Sequence, residues 1–346
     1  MGNIMPMIYR AACLALAAIF LSAAPAMAQG KITLRVADHY SPEHNTAKYT
    51  IRFFMDRVKQ LTGDRVVFEY YPAEQLGKAR DVLQLTQRGA IDIGLVAAAY
   101  VADKMPLSAV AELPGTYSRS CQGNAAYWKL ARSGILAEKE FKTNGIRPLI
   151  TFLLPPYQIM VRGQMNGIAD VKGLKLRSGG TAQDIAIRSL GGVPVRMAGP
   201  EVYEALSRGT LDGIVFPLQS ALDFKLDGFL KSGTVGQNFG GFATTYSISE
   251  ANWAKLPPEI QKAFDQAGEE TIANACAALD ADDSGPSASK LRAAGVNLRP
   301  LSDEDAAKTR DMLKSVHEDW AKGLDARGLP GSELLKAFLA AIPPAR

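Results

Sequence analysis

One arginine in this chain is set up to hold an anion. The stretch from Val171 to Pro217 opens with VKGLKLRSGG, which reads as a turn, an apolar strand from Leu174 to Leu176, Arg177 at the strand's C-terminal end, a Gly179-Gly180 loop and then a helical pattern. Strand ends beside helix N-termini are where small anions settle in open α/β sheets. A guanidinium offers a carboxylate two parallel hydrogen bonds, a fork that lysine cannot reproduce. The rest of the stretch repeats strand, helix, strand: Gly192 to Met197, Glu201 to Arg208, and a last strand from Asp212-Gly213 into Phe216-Pro217. Together the two pieces read as one lobe of a binding protein with a carboxylate anchor.

Catalysis has no comparable constellation. His39 and His44 lie five apart in a loop and helix start, and His317 stands beside Glu318 on a late helix; these are the only 3 histidines. There is no G-x-S-x-G elbow, no P-loop, no H-E-x-x-H and no cysteine pair at zinc spacing. The sequence therefore reads as a binding protein without catalytic residues, cofactor or metal. A net charge of +4 with no Lys/Arg stripe interleaved with aromatics speaks against a nucleic-acid partner.

The elements that must position Arg177 come from a chain of 346 residues, long enough for two packed lobes, with 47% hydrophobic and 21% charged residues. Residues 1–28 are a different kind of sequence: Arg10, an apolar run from Ala11 to Leu21, and Ala26-Met27-Ala28 before Gln29. This reads as a cleaved secretory signal, too short in its apolar run for a membrane span, and Cys13 lacks the aliphatic residue a lipobox requires. The mature chain is expected in the periplasm and not embedded in the membrane. Cys121 and Cys276 remain after cleavage, and the residues leave a bridge between them and two buried thiols both open.

After the signal the pattern is strand (31–37), helix (46–61), strand (66–71), helix (78–88), strand (91–96), which predicts a mostly parallel α/β lobe. An amphipathic helix over 124–141 and a strand over 147–152 follow. Pro155-Pro156 then stiffens a crossing into a second lobe that holds Arg177, and the glycines at 233, 236, 240 and 241 mark a crossing back. The predicted division is 29–154 plus about 243–275 for the first lobe, and 155–242 plus about 276–346 for the second. A helix from Pro257 to about Lys290 is long for a globular protein, and Gly285-Pro286 should kink it. A strand over 296–299, a helix to Gly323 and a short helix over 332–342 end the chain.

Five segments in order carry a resemblance: LRVAD near the start, YYPAEQLGKARDVLQLTQRGAIDIGLV, IADVKGLKLR, GGVPVRMAGPEVYEALSRGTLDG and YSISEANWAKLPPEIQKAF. From about Ile32 to about Gly323 the chain resembles the TRAP-transporter solute-binding proteins of the DctP family. The resemblance implies a two-lobed periplasmic clamshell with a long helix spanning both lobes. Such a receptor closes on an organic acid and delivers it to membrane permease subunits. Arg177 stands where the family keeps the arginine that grips the ligand carboxylate.

Departures from the family pattern point to the ligand. Tyr157 stands where sialic-acid-binding members carry a second arginine, and Phe216 where they carry asparagine. Phe242 takes the place of another common polar contact, and Ala97 that of a glutamate. A second charged or polyhydroxylated end would lose its partners there, at about 1 to 3 kcal/mol for each buried group left unpaired. The expectation is a monocarboxylate with an apolar or aromatic body, with a C4-dicarboxylate as the alternative ligand and a membrane sensor as the alternative partner. Tyr100, His39, Gln158 and Gln219 are further pocket candidates. The Glu-Trp pair of the cation-assisted subgroup is absent at Val215-Phe216, so no bound metal is expected.

Overall fold

The computed structural model describes residues 30–344, so the signal read at 1–28 lies outside them. The strands of the described residues form two sheets. The first holds β1 (Ile32–Ala37), β2 (Val66–Tyr71), β3 (Ile93–Ala97) and β4 (Ile146–Leu153). The second holds β5 (Gln158–Val161), β6 (Lys175–Ser178), β7 (Val193–Arg196), β8 (Gly213–Phe216), β9 (Ser232–Thr234) and β11 (Asn297–Arg299). Between β9 and β11 the chain returns to the first sheet as β10 (Ala243–Ser249). The orders are β2-β1-β3-β10-β4 and β11-β9-β5-β8-β6-β7.

Strand directions follow from these returns. Pairings built by strand-helix-strand units are parallel: β1 with β2 and β3, β6 with β7 and β8, and β9 with β11. Every antiparallel pairing involves β10 or β5, the strand that has just crossed between sheets. The sheets are thus mixed. β3 and β10 are buried along their whole length, as strands covered on both faces must be.

The two crossings lie side by side. Leu154 N–H donates to the Phe242 carbonyl at 3.2 Å, Tyr157 N–H to the Gly240 carbonyl at 2.9 Å, and Phe239 N–H to the Tyr157 carbonyl at 3.1 Å. Gly240 is required here: its φ is +122°, and a Cβ would come within 2.7 Å of the Glu112 carbonyl oxygen.

The long helix is regular over Pro258–Asp282 and continues through one π turn, Asp283–Ser287, into a helix over Ala288–Ala293. The expected kink at Gly285-Pro286 takes the form of this wide turn, which absorbs the bond that proline cannot make. Up to Asp282 the helix packs on β4 and on the helix Phe53–Leu61; beyond it, the chain packs against the helix Leu218–Asp223 and β11. The helix therefore spans both lobes and changes lobe at the π turn, later than the 275/276 division read from the sequence. The last helix, Gly331–Ala341, also departs from that division, since it packs on the Ser120–Ser133 helix of the first lobe.

Two helices differ from their expected bounds for local reasons. The helix read over 124–141 starts earlier, at Ser120, because the Asp280 carboxylate accepts from the amides of Ser120 and Cys121 at 2.6 and 3.3 Å. It stops at Ser133, and a separate π turn follows over Ala137–Phe141. The helix read over 78–88 is regular only over Val82–Gln87, because Glu74 accepts from the Ala79 amide and holds the preceding residues in a turn. Cys121 and Cys276 are joined in a disulfide, which ties the Ser120–Ser133 helix to the long helix across 155 residues of chain.

Candidate ligand site

Arg177 is the penultimate residue of β6, paired with Ile214 of β8 and Val195 of β7. Three elements converge on it, so its side chain is among the largest fully buried in the molecule. Nε donates to the Met197 carbonyl at 3.1 Å and Nη2 reaches the Tyr100 hydroxyl at 3.4 Å, while Nη1 has no partner. Neither acceptor carries a charge. A buried cation without a counter-ion costs several kcal/mol, a cost that a bound anion would offset.

The walls are aromatic. The guanidinium carbon lies 4.7 Å from the centre of the Phe216 ring, close enough for a cation-π contact. Tyr157 is 5.9 Å from Phe216 and stacks on Phe242 at 6.4 Å; Phe242 is 5.0 Å from Tyr100, and Tyr100 is 5.8 Å from His39. These six side chains come from three places. Arg177 and Phe216 belong to the second sheet, Tyr157 and Phe242 to the paired crossings, and Tyr100 and His39 to the loops after β3 and β1. Phe224 extends the wall at 5.8 Å from Phe216.

Burial and Arg177 together hold His39 near pKa 3, so its ring is neutral, and Nδ1 has no partner. Two glycines let the lobes and the loop come this close. A Cβ at Gly179 would stand 3.3 Å from both terminal guanidinium nitrogens and from Phe242. One at Gly180 would meet Ala99 Cβ at 2.7 Å and its Cα at 3.1 Å.

Of the sequence candidates, the structure brings together Arg177, Tyr157, Phe216, Phe242, Tyr100 and His39. Gln158 is engaged elsewhere: its amide donates to the Gln237 carbonyl at 2.6 Å, and its oxygen accepts from the Thr234 hydroxyl at 2.9 Å and the Gln237 amide at 3.2 Å. It is a strut between the crossings rather than a ligand donor. Gln219 donates to Asp223 at 2.5 Å and reaches the Thr46 hydroxyl at 3.5 Å, linking the lobes away from Arg177. Ala97 is a core residue opposite Thr244 at the end of β3. Sequence reasoning missed the Met197 carbonyl, the Gly199 amide and Phe224. The first two lie inside the VRMAGPE segment already singled out, whereas nothing in the pattern marked Phe224.

Residues 36–323 match the family model DctP, bacterial extracellular solute-binding protein, family 7. The chain belongs to the DctP family. This is a family of solute-binding receptors, not of enzymes. Among curated relatives, a solute-binding protein of Albidiferax ferrireducens is 26% identical over 270 residues, covering 77% of this chain and 78% of its own. A TRAP solute-binding protein of Rhodoferax ferrireducens T118, solved with copurified benzoate, superposes with TM-score 0.84 at 25% identity over 90% of this chain and 98% of its own. A marine metagenome TRAP solute-binding protein specific for aromatic acids, solved with 3-hydroxybenzoate, gives TM-score 0.83 at 24% identity with the same coverage. The two-lobed fold of this DctP-family chain is therefore that of TRAP receptors. Among its described residues no helix is long and apolar enough to cross a membrane, and no three His, Cys, Asp or Glu side chains are placed to hold a metal.

Proposed function

We propose that this chain is the periplasmic receptor of a TRAP transporter and that it captures an aromatic monocarboxylate. The observation that carries the reading is the buried Arg177 guanidinium, which makes no ion pair among the described residues and is enclosed by Phe216, Tyr157, Phe242 and Tyr100. A carboxylate on Nη1 and Nη2 supplies the missing charge. The ring of the same molecule then meets apolar faces, where stacked or edge contacts add about 0.5 to 1.5 kcal/mol each beyond burial. A second carboxylate would find no free cation in this cage. The benzoate and 3-hydroxybenzoate complexes of the two similar structures are in keeping with this ligand class.

Arg177 and Phe216 sit on the second lobe, Tyr100 and His39 on the first, so a ligand that touches both favours the closed arrangement by its differential affinity. The closed receptor then docks on permease subunits, which release the acid inward. Cleavage after Ala28 delivers the mature chain from Gln29. The test is a thermal-shift panel on the mature protein with benzoate, hydroxybenzoates, mandelate, succinate and a sugar acid. The aromatic monocarboxylates should raise the melting temperature by several degrees at millimolar concentration, and succinate should not. Stabilisation by succinate or the sugar acid alone overturns the ligand class.

A further inference from the structure

Among the described residues, the Tyr100 hydroxyl is the one place where a first-lobe side chain makes a hydrogen bond to the guanidinium. Tyr100 lies on the short turn Ala98–Val101 that follows β3, and its oxygen accepts from the Gly199 amide of the second lobe at 2.7 Å. The same oxygen receives Arg177 Nη2 at 3.4 Å, the long limit for such a bond. A phenol oxygen has two lone pairs and one proton. Both acceptor positions are taken by second-lobe donors, and among the described residues no acceptor takes the proton. The ring is fixed by Phe242 and His39. Burial raises the hydroxyl's pKa, so the proton stays in place at neutral pH.

Tyr100 also lines a cavity of about 220 Å³ with Arg80, Arg196, Gly179 and Met197. Arg80 belongs to the first lobe and pairs with Glu201 of the second at 3.0 Å. Arg196 follows Val195, the β7 residue that faces Arg177. Arg196 pairs with Asp184, and Tyr100 thus stands between this cavity of paired charges and the guanidinium behind it.

We infer that Tyr100 is the positioning residue that couples carboxylate capture to closure: its free hydroxyl proton is donated to the carboxylate oxygen held on Arg177. This rests on the arginine-carboxylate reading and adds a role to it. Without ligand, the closed arrangement has only the long Nη2 contact and the Gly199 bond at this point. With ligand, a charge-assisted bond is added between the first lobe and an anion fixed on the second, and it exists only when the lobes are together. The Gly199 amide, donating to the same oxygen, polarises the hydroxyl and strengthens that bond. Arg177 therefore supplies capture, and Tyr100 converts capture into closure.

The test compares Tyr100→Phe with Arg177→Met, using as probe the acid that gives the largest shift in the panel. Phenylalanine keeps the ring and its packing, so only the hydroxyl is removed. Affinity is read by calorimetry, dissociation rate by stopped flow, and closure by the distance between fluorophores placed on the two lobes. Tyr100→Phe should weaken binding about tenfold or more through faster dissociation, with the association rate little changed. Its inter-lobe distance at saturating ligand should stay longer than in the parent. Tyr100→Phe that binds and closes as the parent does overturns the inference. So does a large fall in its unliganded melting temperature, which would make the hydroxyl a static strut. Arg177→Met that binds normally would instead overturn the anchor reading beneath it, a failure the two variants keep separate.

Discussion

Arg177 is held in place at the expense of stability. Its guanidinium is buried, lacks a counter-ion and leaves Nη1 unpaired. An unpaired buried charge carries a desolvation cost that an apolar residue of similar volume does not. Arg177→Met should therefore raise or preserve the melting temperature of the unliganded protein while weakening acid binding by roughly 100-fold or more. A marked drop in unliganded stability would instead show that the arginine is a structural tie. Asp38 shows the contrast. It stands just past the end of the first strand, and its carboxylate accepts from the Tyr40 amide and from the Tyr70 and Tyr246 hydroxyls at 2.8 to 2.9 Å. It is fully used in joining β1, β2 and β10.

Among the elements, the strand ends and the two crossings do the positioning. The order of strands and helices, the proline-stiffened crossing and the arginine at a strand end were all legible, because each rests on local patterning: alternation, helical spacing, Gly and Pro. The side chains that share one cage were legible only in part. Phe224 and Gln158 could not be told apart from ligand or core residues, because their roles depend on which segments meet across the lobes. Gln158 bonds to residues about eighty positions away, and no local pattern records that partner. The close approach of Gly180 to Ala99 is of the same long-range kind. It gives a direct prediction: Gly180→Ala puts a methyl group where Ala99 stands, so the lobes cannot close fully. Affinity should fall at least tenfold, with secondary structure and unliganded melting temperature nearly unchanged. Parental affinity in this variant would show that the observed approach is not needed for binding.

At the scale of the whole molecule, closure gathers several buried ionisable groups between and beneath the lobes. Glu112 is the clearest. Burial pushes its pKa from an ordinary 4.5 up to about 8, with the Ala243 amide and Arg177 pulling back. In the folded protein it is protonated at pH 7, whereas the unfolded chain releases that proton above about pH 4.5. The unfolded state thus binds fewer protons through this window, and Glu112's contribution to stability falls as pH rises from about 4.5 to about 8. His39 acts in the opposite sense: held near 3, it contributes stability above pH 6.5 that is lost on acidification. Glu112→Gln should therefore flatten the decline between about pH 4.5 and about 8 and leave the profile below about 4.5 as it is. An unchanged slope between about pH 4.5 and about 8, read by urea titrations, would contradict the assignment. The claim that unites these scales is that a single carboxylate completes Arg177 and draws the lobes together around an aromatic body. A crystal structure of the mature protein grown with benzoate tests it most directly. The account predicts the carboxylate within hydrogen-bond distance of Arg177 Nη1 and Nη2, with its ring among Phe216, Tyr157 and Phe242. A benzoate bound elsewhere, with Nη1 still unpaired, would contradict it.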